Sequence, residues 1–176
     1  MKLIKAAAFF TVAVPALLAI HASAADKLND AQIAHIAYTA GDIDVKAAEF
    51  ALTRANSPAV KSFAQDMVRD HKAVNDKALA LVKKLNVTPE DNDTSKALVK
   101  QAEEKNAELT KLTGEAFDKA YVDNEVAYHK TVNEALKTTL IPSTSNAELK
   151  SLLETGLKIF EGHLQHAEML AHGSHK

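Results

Sequence analysis

The chain contains no cysteine and no tryptophan, and only five glycines and four prolines in 176 residues. Without cysteine there is no disulfide, no thiolate ligand and no cysteine nucleophile. So few glycines leave no glycine-rich loop to cradle a phosphate. No segment alternates polar and apolar residues for long enough to build a sheet. Charge of one sign is lacking too, with 21 basic residues facing 23 acidic ones. With that balance and no basic stripe, the chain does not carry the electrostatic footprint of a nucleic-acid or anionic-membrane binder.

Long apolar runs are confined to the start. In "MKLIKAAAFFTVAVPALLAIHASA", Lys2 and Lys5 precede an apolar run from Ala6 to Ile20, and Ala22-Ser23-Ala24 fits the small-residue cleavage rule. Pro15 interrupts the run, which is shorter than the roughly 20 apolar residues a spanning helix needs. Residues 1–24 are therefore expected to be a cleaved secretory signal, and the periplasm the destination. Losing Lys2 and Lys5 would move the formal net charge from −2 to −4. A chain of about 150 residues buries around 70% of its extended surface and needs no staple. Residues 25–172 are expected to form one helical domain that inserts into no membrane, with 173–176 as a flexible tail.

What is present favours helix. Asn29-Asp30-Ala31-Gln32 reads as a cap with a glutamine three residues on. A stripe then follows through Ile33, Ile36, Ala40, Ile43, Ala47 and Phe50. Ser57-Pro58 is a cap followed by proline at the first helical position. Val60, Ala64, Met67, His71, Val74, Ala78, Leu81 and Leu85 continue as a seam in steps of four and three. "NVTPEDNDT" reads as a loop, followed by a polar helix near Ser95 to Leu112 whose place the pattern leaves open. Gly114 should break that segment. A third long helix carries Phe117, Tyr121, Val122, Val126, His129, Val132, Leu136 and Leu140, with Pro142 as its latest end. Ser145-Asn146-Ala147-Glu148 has a capping-box pattern, opening a last helix through Leu149, Leu153, Phe160, His163 and Ala167. The pattern predicts an all-α chain, an antiparallel four-helix bundle with an extra helical segment between its second and third long helices.

Three blocks, "FAQDMVRDHKAVN", "FDKAYVDNEVAYHKTV" and "LKIFEGHLQHAEML", follow the leader in that order. In this the chain resembles an exported bacterial family of unknown function, whose members are often labelled outer membrane proteins. The resemblance covers about Asp30 to Leu170. It implies a ferritin-like bundle and an exported location, and no established reaction. The outer-membrane label conflicts with the lack of alternating barrel strands and is set aside.

His71, His129 and His163 each lie in the apolar stripe of a different helix. A buried imidazole needs a hydrogen-bond partner or a ligand, since leaving it unpaired costs about 1–3 kcal/mol. Acids stand within a turn of each: Asp66 and Asp70 beside His71, Glu125 four before His129, and Glu161 and Glu168 around His163. Imidazole and carboxylate projecting inward from facing helices is how bundles build metal sites. The ferritin-like di-iron signature, a Glu-x-x-His on each of two helices, is missing; Glu125-x-x-x-His129 has a longer spacing, and Asp42, Asp44 and Glu49 fit no core glutamate position. Placing Leu140 level with Asn146 offsets His129 from His163 by roughly 9 Å at 1.5 Å per residue. That register pairs Glu125 with His163, and His71 with an acid of the first helix.

At the far end, His163, His166, Met169, His172 and His175 recur every third residue. Each step of three drifts about 60° around a helix, so one ion cannot collect all five. His163 and His166 can share an ion, and a bent tail would let Met169, His172 and His175 hold copper. His35 reads as a rim residue. The candidate metal set is His71, Glu125, His129, His163 and His166, for Cu, Zn or Fe. No nucleophile elbow or HExxH is present, so no enzyme is expected. Three readings stand: an exported metal-binding bundle, a metal-free structural or stress-related envelope protein whose histidines fix helix packing, and an oxidoreductase with a buried metal. The sequence names no protein partner.

Overall fold

The first helix starts where its cap places it. The Asn29 side chain accepts from the Gln32 N–H at 2.8 Å, and the Gln32 side chain accepts from the Asn29 N–H at 3.1 Å. The structure, a computed structural model, describes residues 28–173, so the expected leader 1–24 and His175 lie outside the described residues. Helix α1 spans Asp30–Arg54 and α2 spans Pro58–Lys84, with Ser57 capping the proline-led start of α2. After Asn86, at φ 51°, the chain reaches α3, Asp93–Leu109. Gly114 opens α4, Gly114–Ala135, at φ +61°, a left-handed conformation that glycine enters without a Cβ penalty. The expected break is there.

Pro142 does not stop the third long helix. A π-helical segment, Leu136–Leu140, continues from α4 into a short turn α5, Ile141–Ser143, with the Ile141 N–H bonded to the Leu136 carbonyl. In an α-helix the proline ring would collide with the carbonyl four residues back. The wider five-residue spacing ahead of it absorbs that conflict. The last helix, α6, spans Ala147–Gly173 and is capped by Asn146 rather than Ser145, because the Asn146 side chain accepts from Glu148 and Leu149 at 3.0 Å each. The N–H groups of Ser145 and Asn146 instead donate to the carboxylate of Asp30, both at 2.8 Å.

Ion pairs reveal the directions of the helices. Lys72–Glu49 joins α2 to α1, Lys130–Glu168 and Lys137–Glu161 join α4 to α6, and Lys84–Glu148 joins α2 to α6, each in antiparallel order. Helix α3 runs beside α1, tied at its start by Asn92 to the Gln32 carbonyl and beyond its end by Arg54 to the carbonyls of Thr110 and Leu112. It returns the chain to the end where α2 began. Helices α2 and α4 are therefore parallel, and Phe63–Tyr121 and His71–His129 meet at one constant separation in sequence.

The core has two apolar halves. One holds Ala48, Ala51, Phe63, Met67, Phe117, Tyr121 and Ala167; the other holds Ile33, Ile36, Leu136, Leu140, Leu149, Leu153 and Phe160. Burying each large side chain contributes roughly 1.5–3 kcal/mol. Between the halves lies a polar layer of Asp44, His71, Glu125, His129 and His163, all buried. On α1 the buried stripe passes through Asp44, Ala48 and Ala51, leaving Ile43, Ala47 and Phe50 half-buried. A Cβ added at Gly41 would overlap the Asn75 side chain, so glycine sets how closely α1 and α2 approach. Among the described residues there is no strand, and no helix is long and apolar enough to cross a membrane.

Candidate metal centre

Each long helix of the core contributes to the polar layer. α1 supplies Asp44, α2 supplies His71 with the half-buried Asp70 at its edge, α4 supplies Glu125 and His129, and α6 supplies His163. The imidazole rings of His71, His129 and His163 surround a common point, with centroids 5.2–5.7 Å apart. Phe160 stacks flat on His71, at 4.4 Å and 3°, and fixes that ring's plane.

Hydrogen bonds set the tautomers. His129 Nδ1 lies 3.0 Å from the carbonyl of Glu125, one turn earlier. A carbonyl can only accept, so Nδ1 carries the proton and Nε2 keeps its lone pair. His163 Nε2 lies 3.0 Å from Asp70 Oδ2, which assigns its proton to Nε2 and leaves Nδ1 as the free lone pair. The backs of these two rings are thus held by a carbonyl and a carboxylate, the usual support of a metal-binding histidine. His71 has its Nε2 3.4 Å from Asp44 Oδ2.

Burial shapes the ionisation. Desolvation pushes His129 down to about 4 and His71 well below the ordinary imidazole value, with the neighbouring histidines adding to the effect on His71. His163 is lowered by burial, with Asp70 pulling the other way. All three rings are therefore neutral near pH 7, and a cation would displace no proton from them. Asp70, held first by Arg69 and then by His163, lies below the usual carboxylate range. Arg69 donates to it at 2.8 and 3.0 Å and to Asp66 at 2.6 Å.

The carboxyls of Asp44 and Glu125 behave oppositely. Burial raises both, Glu125 to about 8, and the Glu125 charge raises Asp44 further. Glu125 Oε2 is 3.6 Å from His129 Nδ1, and His129 Nε2 is 4.0 Å from Asp44 Oδ2. Burial also raises Tyr121 and Tyr128 well above the ordinary phenol value. Tyr128 donates to the Ala40 carbonyl at 3.1 Å, whereas the Tyr121 hydroxyl has no hydrogen-bond partner.

The ligand atoms of His71, His129 and His163 all fall within 4.8 Å of one another, and so do those of Asp44, Glu125 and His129. Either group could hold a metal ion. The family comparison adds one finding to this geometry: residues 16–170 match the profile of a domain of unknown function, DUF4142. The chain belongs to the DUF4142 family. Neither the curated proteins nor the solved structures return a match.

In this DUF4142 chain, four of the five residues expected from sequence lie together. His166 does not join them: one turn beyond His163 and rotated from it, its ring meets Phe63 edge-on at 5.1 Å. Met169 and His172 are exposed, continuing the expected drift around α6. His35 is half-buried, at the edge of its stripe. The expected pairing of Glu125 with His163 is replaced by Glu125 with Asp44 and His129, and by His163 with Asp70. The 9 Å offset disappears because the chain turns at Thr144–Asn146 rather than at Leu140, which slides α6 along α4. His71 does meet an acid of the first helix, and that acid is Asp44. Asp44 and Asp70 escaped the sequence reading as site residues. Asp44 lies four residues from both Ala40 and Ala48, a spacing that could have revealed it.

Proposed function

We propose that the chain is an exported, ferritin-like helical protein that binds one transition-metal ion through His71, His129 and His163, with the buried carboxyls of Asp44 and Glu125 beside it, which gain negative charge only on losing a proton. One observation carries this. Four buried ring nitrogens of the layer have no hydrogen-bond partner: both nitrogens of His71, Nε2 of His129 and Nδ1 of His163. Each unpaired buried group costs about 1–3 kcal/mol, so a ligand that pairs several of them at once is favoured. A nitrogen-rich set without thiolate suits Zn, Cu or Fe and disfavours Mg and Ca. Three imidazoles also leave a position for a further ligand. The ferritin-like part of the reading is supported by the up-down, return, down-up course of the chain, since that class has one long crossover. The periplasmic location rests on the leader pattern of residues 1–24. Nothing in the layer provides a nucleophile with its base, so the proposal is binding or sequestration rather than catalysis.

The metal-free reading has an observation of its own: Asp70 and the Glu125 carbonyl already hold two of the three rings. It leaves the same four nitrogens unpaired. The test is elemental analysis of untagged protein from its own compartment, with thermal unfolding in Zn(II) or Cu(II). A midpoint that rises with metal in the native chain and in His166→Ala, but not in His163→Ala, supports the bundle site. A rise lost only on deleting residues 173–176 places binding in the tail. No bound metal and no rise end the proposal.

A further inference from the structure

The apolar half of the core below the polar layer is incompletely filled. A cavity of about 40 Å³ lies there, bounded by α1, α2, α6, the end of α4 and the π-helical segment. It exists because small residues occupy its wall, with Ala37 and Gly41 on α1, Ala78 on α2 and Gly156 on α6. Leu136 and Leu140, both from the π-helical segment, close another side. The wider turn rotates these leucines relative to a continuous α-helix, and such segments recur at functional sites.

At its polar end the cavity reaches the layer, where Asp44 and His71 form part of the lining. His71 is 2% exposed, and neither of its ring nitrogens has a hydrogen-bond partner. His129 and His163 are absent from the wall. A molecule in the cavity would therefore approach the three-histidine group from the side of His71 and Asp44.

We propose that this cavity admits an uncharged diatomic molecule, with dioxygen as its chemical type, to the ion held by His71, His129 and His163. The inference rests on the metal reading. Size and polarity choose the ligand class. A water-sized sphere needs roughly 10–15 Å³ of such space, so the cavity takes about three, enough for a diatomic and too little for most organic substrates. Asp44, His71 and Asn75 make one end of the wall polar, and the rest is hydrocarbon that offers no partner to a charged group or to a water, which needs two to four. A small apolar molecule loses nothing by entering.

The probe for the cavity is xenon, which apolar cavities of this kind take up. Metal-free protein under xenon pressure should show the gas beside Leu136, Leu153 and Gly156, by crystallography or xenon NMR. Filling the space with Gly156→Val, or with Ala37→Leu at the half-buried rim, should abolish uptake. A Cβ at Gly156 would meet Phe160 and Val74 at ordinary contact distances, so the backbone tolerates a side chain there. The probe for the path is nitric oxide binding to Fe(II)-loaded protein, followed by stopped flow. Both variants should slow its association about tenfold, the change that roughly 1.4 kcal/mol of added barrier gives. No xenon in the native cavity overturns the inference, whether or not metal binds. Equal nitric oxide rates in the native and filled proteins overturn it too. Xenon uptake by a protein that takes no Fe(II) defeats the three-histidine reading, and with it the idea that the cavity serves an ion.

Discussion

Replacing Glu125 by glutamine should flatten the alkaline side of the stability profile of the metal-free protein. In the folded chain burial raises the Glu125 carboxyl from its ordinary 4.5 to about 8, while His129 is lowered from 6.5 to about 4. The raised Glu125 favours the folded state fully below pH 4.5, and that contribution is lost as pH rises through about 8. The lowered His129 works in the opposite sense: its contribution is present above pH 6.5 and lost as pH falls through about 4. Between pH 4.5 and 6.5 the folded state holds the proton on Glu125 and the unfolded state holds it on a histidine. The slopes of these two groups cancel there. From pH 7 to pH 9 the His129 contribution is constant, while that of Glu125 falls by about one pKa unit, on the order of 1.4 kcal/mol. Asp44, raised in the same direction, adds to the fall. The assay is urea unfolding followed by circular dichroism at half-unit pH steps, with a chelator present throughout. The native chain should lose about 1.4 kcal/mol or more from pH 7 to 9, and Glu125→Gln less by about that amount. Parallel profiles for the two proteins would refute the idea that Glu125 is protonated in the fold.

Three further outcomes follow from the same structure. Asp70→Asn should weaken Zn(II) binding by roughly 10–100-fold, as loss of a ligand's supporting carboxylate does, with Arg69→Gln weakening it less; competition titration with a chromophoric chelator reads both. Asp118 accepts from the backbone N–H groups of Asn56 and Ser57 at 3.0 and 2.8 Å, so Asp118→Ala should cost about 1.5–3 kcal/mol in urea unfolding and Asp118→Asn less. Gly41→Ala should destabilise by about 1–3 kcal/mol through overpacking on Asn75, and less than additively when combined with Asn75→Ala in a double-mutant cycle.

The helices were legible because their signals are local. Asn29 with Gln32, Ser57 with Pro58, and Gly114 each act within a few residues, and each lies where the pattern put it. The His71, His129 and His163 stripe positions were legible for the same reason: periodicity reports which face is inward. Two kinds of information were not local. Stripes scored on hydrophobicity prefer Ile43 to Asp44, although a buried carboxylate occupies the same row as Ala40 and Ala48. The height of α6 against α4 depends on where the chain turns, and the π-helical segment moved that point past Pro142. A displacement of a few residues there decides whether His129 and His163 meet. Asp70 faces the seam between α2 and α6, and that seam becomes visible only once the helices are packed.

Helix α3 gives none of its side chains to the polar layer, yet its course makes α2 and α4 parallel. Scaffold and site are therefore separable along this chain. The connections on either side of α3, at residues 85–92 and 110–113, are places where new termini or an inserted reporter would leave intact all four helices that build the polar layer. If the bundle binds metal as proposed, a fluorescent domain spliced in there would make it a sensor whose signal module never touches the centre it reports on.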